Sequence, residues 1–181
     1  MPTSSDFTII AARRPIGVQI QAVLRDWAAL ALIKPVAFID LDAVLPDGTV
    51  PVVILEDGVT RTAHLQEELG RRRVDVVRLC VVSLVDVAGG SVIASSAVSV
   101  ASMLRDAIPS ATFVQSQLIV GSPGQDWAGR SNPLLGWHNL ALSPEDAQSP
   151  DRGLSPLARS ADDPKWLFSV VGSLCSLLGL W

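Results

Sequence analysis

Short apolar runs separated by glycine, proline and charged residues are the feature that most limits the folds open to this sequence. The run at residues 74–87 reads VDVVRLCVVSLVDV and is the most hydrophobic of them. Runs of this kind are typical of strands that are buried on both faces of a sheet. Stretches with helical spacing lie between several of the runs. The pattern therefore predicts an α/β fold with a mainly parallel sheet and helices on both of its faces.

The first 45 residues predict a strand, a helix and a second strand. Residues 7–12 form the first apolar run, and Pro15 suits the first position of a helix because its fixed φ is helical and its missing N–H is not needed there. Apolar residues recur at helical spacing from residue 16 to residue 31. Residues 36–45 then form the second strand, which a right-handed crossover would place parallel to the first.

A β-hairpin is expected next, because Asp47-Gly48 supplies the two residues that a type I′ turn needs at positive φ. It would pair residues 36–45 with residues 50–55 and place Asp40 and Asp42 in the middle of the ladder. Further along the chain, the patterns predict helices at 60–73 and 92–107 and strands at 74–87, 112–120 and 137–142.

The length of 181 residues fits one α/β domain, which we place at residues 1–142. Residues 143–164 are polar, carry three Ser-Pro pairs and predict a surface loop or linker. Residues 165–181 predict an apolar terminal helix that packs on the domain or on a partner, because they hold no charge after Lys165.

Three roles are open for the terminal helix: the last core helix of the domain, a helix that binds a partner or another copy, and a helix at a membrane surface. The partner-binding role would use its large apolar side chains. A monomeric chain with this helix folded back on its own core would contradict that role. The candidate partner-binding residues are Trp166, Phe168, Leu174, Leu178 and Trp181.

Asp40 and Asp42 are the candidate catalytic residues. They stand two apart in a strand pattern, so their side chains project from one face. The segment from Ala37 to Asp47 resembles the first motif of haloacid-dehalogenase-type phosphatases, an apolar strand followed by Asp-x-Asp. The resemblance implies that Asp40 is the nucleophile and Asp42 the acid/base, with Mg²⁺ between carboxylate and phosphate.

The rest of the sequence departs from that family's pattern. Ala43 follows the motif where the family usually has glycine, and neither Lys34 nor Lys165 stands where the family's lysine would be. The alternative to a phosphatase site is that Asp40 and Asp42 lie on a solvated face of the strand and have no catalytic role.

Two further segments are candidate ligand-binding sites. Arg13 and Arg14 lie between a predicted strand and helix, where two guanidinium groups and free helix N–H groups could hold a phosphate or a nucleotide. The other segment follows the strand at 74–87, where open α/β sheets bind ligands. Its candidates are Asp86, Gly89, Gly90 and Ser91. Solvated arginines and a plain strand-to-helix turn are the alternatives.

The formal net charge of −4 makes nucleic acid an unexpected partner, since the phosphate backbone requires a cationic surface. No secretion signal opens the sequence, so we expect a cytoplasmic protein, and membrane association is not expected. We expect no metal and no cofactor. The sequence favours a non-catalytic interaction or regulatory domain, a module of a larger protein or assembly. The alternative is a domain that binds or hydrolyses a phosphate ligand.

Overall fold

The computed structural model describes residues 5–44, 48–84, 90–121, 133–142 and 164–181. These contain seven strands and four helices. The strands are β1 (Asp6–Ala12), β2 (Val36–Asp40), β3 (Pro51–Glu56), β4 (Val59–His64), β5 (Val76–Leu84), β6 (Thr112–Val120) and β7 (His138–Leu142). The helices are α1 (Ile16–Ala29), α2 (Leu65–Arg71), α3 (Gly90–Ala107) and α4 (Pro164–Leu178).

All seven strands form one mixed sheet, in the order β4-β3-β2-β1-β5-β6-β7. The five strands from β2 to β7 in that order are parallel. β3 and β4 run antiparallel at one side. The α/β class is confirmed, and the prediction of a mainly parallel sheet is only partly right. Chain order reverses at β1, as in doubly wound sheets, which bind ligands where the carboxyl ends of the strands diverge.

Each face of the sheet is covered by two helices. α2 and α3 cover one face, where alternate residues of β1 such as Ile9 and Ala11 lie in the core. α1 and α4 cover the other face, on to which Ile10 and Ala12 project. Because β1 and β5 are buried on both faces, they read in the sequence as continuous apolar runs.

The hairpin predicted at Asp47-Gly48 is wrong in register. Residues 36–38 pair with residues 53–55, and β2 ends at Asp40. A turn ends the strand: the Asp40 carboxylate accepts a hydrogen bond from the N–H of Asp42, and the Asp40 carbonyl accepts one from the N–H of Ala43. Asp40 and Asp42 therefore lie at the carboxyl end of β2, not in the middle of a ladder.

The predicted turn residue Asp47 lies outside the described residues. A tight hairpin is found at Asp57-Gly58, where both residues have positive φ (50° and 74°). It joins β3 to β4, and the prediction of one helix over residues 60–73 is wrong for its first half. Residues 59–64 instead form an edge strand paired along its whole length with β3. Helix α2 begins only at Leu65.

The chain end after α4 is bound to the domain. Gly179 has φ +65° and donates its N–H to the carbonyl of Ser176, while Leu180 donates to the carbonyl of Cys175. These two bonds form a Schellman motif, which satisfies carbonyls that the helix leaves free. Lys34 then donates its backbone N–H to Leu180 and its Nζ to the carbonyl of Gly179, both at 2.7 Å.

The side chains of α4 divide between core and surface. Trp166, Leu174 and Leu178 are buried, so in this fold they belong to the domain's own core. Phe168 and Trp181 remain half exposed. Among the described residues, no helix is long and apolar enough to cross a membrane.

Candidate functional site

Two pairs of residues that were predicted as separate sites meet at the carboxyl edge of the sheet. Arg13 and Arg14 follow β1, and Asp40 and Asp42 follow its parallel neighbour β2. Since parallel strands end at the same edge, the two arginines face the two carboxylates. The backbone joins the ends as well, because the N–H of Leu41 donates to the carbonyl of Ala12 at 2.9 Å.

Every carboxylate oxygen of this cluster accepts a hydrogen bond. For Asp42, the donors are the Nε of Arg13 at 2.5 Å and the backbone N–H of Arg14 at 2.9 Å. For Asp40, they are the Nε of Arg14 at 2.8 Å and the N–H of Asp42 at 3.0 Å. The formal charges of the four side chains, two positive and two negative, cancel.

The electrostatics keep Asp42 ionised. Burial alone would raise the pKa of its carboxyl, but the hydrogen bonds from Arg14 and Arg13 and the charges of both guanidinium groups outweigh burial. The pKa of Asp42 is therefore below its ordinary value. A carboxylate held in this state is a poor proton donor at neutral pH.

The cluster does not fit the Mg²⁺ that the phosphatase resemblance implies. Mg²⁺ requires oxygen ligands in octahedral geometry, and each oxygen of Asp40 and Asp42 is already bonded to a donor. Two guanidinium groups also stand against the carboxylates and oppose a cation. In the described parts of the chain, no three His, Cys, Asp or Glu side chains gather as a metal site would need.

The outer edges of the two arginines are available to an anion. Each arginine donates a hydrogen bond from its Nε to a carboxylate, and the Nη groups of both have no hydrogen-bond partner among the described residues. The Arg14 side chain is largely exposed. An arginine oriented through Nε can still present two parallel N–H groups to a phosphate.

The remaining sequence candidates lie after β5. Asp86 and Gly89 fall outside the described residues. α3 begins at Gly90, which places Gly90 and Ser91 at its N-terminus.

Both cysteines are buried free thiols. Burial raises the pKa of Cys80 to about 11 and that of Cys175 to about 12, so neither is a ready nucleophile at neutral pH.

Sequence reasoning missed a cavity of about 610 Å³ at the opposite, amino-terminal edge of the sheet. Its walls combine the start of β1, the residues before β2 and the end of α4. No motif marks it, because its residues come from distant parts of the chain. Its lining includes Asp6, Thr8, Lys34, Arg72, Arg78 and Leu177.

Comparisons with known proteins give no family for the chain. No family model matches the sequence, and no curated protein matches it. A solved structure of a DUF4886 family protein from Bacteroides uniformis ATCC 8492 aligns with a TM-score of 0.30 and 9% identity. The alignment covers 66% of this chain and 51% of that protein, so this chain spans about half of its length. A similarity at that level supports no inference about fold or function.

Proposed function

We propose that this chain is a non-catalytic α/β interaction domain, a module of a larger cytoplasmic protein or assembly. It associates through an aromatic surface formed by Trp27 of α1 and by Phe168 and Trp181 of the terminal segment. The observation that carries the proposal is the exposure of this surface: 50% of Phe168 and 55% of Trp181 are open to solvent. Exposed aromatic clusters are typical of interfaces.

The aromatic side chains of this surface pack against one another, which favours binding. The rings of Trp27 and Phe168 are stacked at 6.3 Å, and those of Trp27 and Trp181 lie 5.3 Å apart. Trp181 also donates its Nε1 to the hydroxyl of Ser176 at 3.0 Å. Leu30 stands one turn after Trp27 and is 69% exposed, which extends the apolar area. A surface that is already ordered loses little side-chain entropy on association.

Sedimentation velocity over a wide concentration range tests the proposal. We expect the wild-type chain to self-associate, with a sedimentation coefficient that rises with concentration. The double substitution Phe168→Ser and Trp181→Ser should shift association to higher concentration by about tenfold or more, because aromatic anchors dominate interface energies.

Leu135→Ser is the matched control. Leu135 is 97% exposed in the segment before β7, outside the aromatic surface, so this variant should associate like the wild type. Equal melting temperatures would show that all variants are folded. A wild-type chain that stays monomeric throughout would contradict the proposal.

A phosphate- or nucleotide-binding domain is the second candidate function, and the convergence of Arg13 and Arg14 at the carboxyl edge favours it. Nucleotides and phosphorylated metabolites should then raise the melting temperature, since a ligand of the folded state stabilises it by mass action. Arg14→Gln should abolish that increase.

The hydrolytic version is tested by a phosphatase assay with Mg²⁺ on the wild type and on the Asp40→Asn and Asp42→Asn variants. Mg²⁺-dependent turnover that both substitutions abolish would favour the phosphohydrolase over the interaction domain. We expect no such turnover, because all four carboxylate oxygens are already hydrogen-bonded.

A further inference from the structure

The cavity at the amino-terminal edge has the size of a small-molecule site. Its volume of about 610 Å³ lies inside the range of known ligand pockets, about 300–1,000 Å³. Leu177 and Leu180 contribute apolar wall, and charged side chains stand around it. Such a combination suits a ligand with one charged group and a neutral body.

Thr8 supplies an unused polar group in the wall of this cavity. Its side chain is buried, with 6% of its surface exposed, and no hydrogen bond to its hydroxyl is made within the described residues. Thr8 is the register partner of Arg78 on the neighbouring strand, so the two side chains share one face of the sheet. The hydroxyl can donate a hydrogen bond to a ligand in the cavity or accept one from it.

Two cationic side chains that line the cavity, Arg78 and Lys34, have N–H donors that are available to a ligand. Arg78 places its Nε and Nη2 on one oxygen of Asp6, at 3.2 Å each, and its Nη1 has no partner in the described parts of the chain. Lys34 has three N–H donors and uses one on the carbonyl of Gly179. By contrast, Arg72 donates to both Glu56 and Glu68, so it forms a fixed wall.

The charge of the lining favours an anion. Lys34, Arg72 and Arg78 against Asp6 and Glu56 give three positive and two negative side chains, a formal charge of +1 in a chain whose net charge is −4. The spare donors of Arg78 and Lys34 and the hydroxyl of Thr8 are suited to the oxygens of a carboxylate or phosphate.

From these observations we infer that the amino-edge cavity is a binding site for a small organic anion. The anionic group is bound by Arg78, Lys34 and Thr8, and the neutral body lies against Leu177 and Leu180. This site is separate from the aromatic surface and from the arginines of the carboxyl edge. Its existence therefore does not depend on either proposed function.

Isothermal titration calorimetry with phenyl phosphate and benzoate tests the site, with phenol as the uncharged probe. We expect saturable binding of at least one of the two anions and none of phenol. The anion that binds with the higher affinity identifies the preferred head group, phosphate or carboxylate. Arg78→Gln should weaken binding by about tenfold or more, since it removes a charged hydrogen-bond donor.

Matched variants locate the binding. Thr8→Val keeps the shape of the side chain and should weaken binding severalfold, whereas Thr8→Ser should retain it. Arg25→Gln removes an exposed arginine outside the cavity and should change nothing. If Arg78→Gln does not fold, the two Thr8 variants decide the question.

Two results would overturn the inference. One is the absence of saturable binding of either anion to the folded wild type. The other is unchanged affinity in both Arg78→Gln and Thr8→Val. Loss of binding in Arg14→Gln in place of these variants would move the ligand to the carboxyl edge, and would likewise overturn it.

Discussion

Glu68 of α2 is a carboxylate with 1% of its surface exposed, held between two arginines. Arg61 donates two parallel hydrogen bonds to it, at 2.6 and 2.8 Å, and Arg72 adds a third at 2.5 Å. The hydrogen bonds from Arg61, together with those from Arg72, outweigh burial and lower the pKa of Glu68 from 4.5 to about 2. Arg72 also donates to Glu56 on β3, so the network fastens α2 to the hairpin.

This network predicts a specific dependence of stability on pH. Because the pKa of Glu68 is lower in the folded state, its contribution is complete above pH 4.5 and is lost as the pH falls towards 2. Glu68→Gln should lower the free energy of unfolding at pH 7 by about 2 kcal/mol and flatten its decline over that acidic range. Urea unfolding at several pH values measures both effects.

Glu67→Gln is the control for that measurement, because Glu67 is the exposed neighbour of Glu68 on the same helix. Its effect should stay within about 0.5 kcal/mol. Equal losses in the two variants at pH 7 would show that the buried network does not stabilise the fold.

At the scale of elements, the end of α4 depends on one backbone conformation. Gly179 occupies the left-handed region at φ +65°, which a residue with a Cβ adopts only at a cost. The Schellman motif and the two hydrogen bonds from Lys34 follow from that turn. The glycine therefore determines how the chain end returns to the sheet.

Two substitutions of glycine by alanine in the same segment should have opposite effects. Gly179→Ala should destabilise the domain by about 1 kcal/mol, because alanine is strained at positive φ. Gly172→Ala lies inside α4, where an added Cβ meets nothing within 4 Å, and should stabilise it by up to about 1 kcal/mol. Thermal unfolding of both variants checks the signs, and a shift in the same direction for both would be inconsistent with this view of the helix end.

The two Asp-Gly pairs explain how far the sequence predicts the elements. Local patterns located β1, α1 and β6 to within a residue or two, because each carries its own periodicity. The pair at 57–58 forms a tight hairpin. β2 ends at Asp40, before the other pair is reached, and Asp47 lies outside the described residues. The early end of β2 is a tertiary effect, because hydrogen bonds from Arg13 and Arg14 hold the turn that follows Asp40.

The candidate site was predictable as residues but not as a cluster. The sequence singled out the arginines after β1 and the aspartates after β2 for separate roles. The arginines and aspartates neutralise each other because β1 and β2 pair in parallel. No local sequence pattern predicts that pairing. The amino-edge cavity was missed for the same reason, since Thr8, Arg78 and Leu177 meet only in the folded sheet.

At the scale of the whole molecule, α4 completes a doubly wound sheet. It covers the face that α1 alone leaves partly open, with Trp166, Val170 and Leu174 among the buried residues. Its inner side therefore belongs to the domain, and its outer aromatic side is the one through which we propose association. We propose that α4 has both roles at once.

Hydrogen–deuterium exchange of the full chain at low and high concentration tests that claim most directly. Amides of residues 168–178 should be protected at both concentrations, as strongly as those of β1, because the helix is part of the core and these amides lie beyond its first turn. Association should add protection only around Trp27 and Trp181. The claim would be contradicted if residues 168–178 exchanged freely at low concentration and became protected only at high concentration, since the helix would then fold only on a partner.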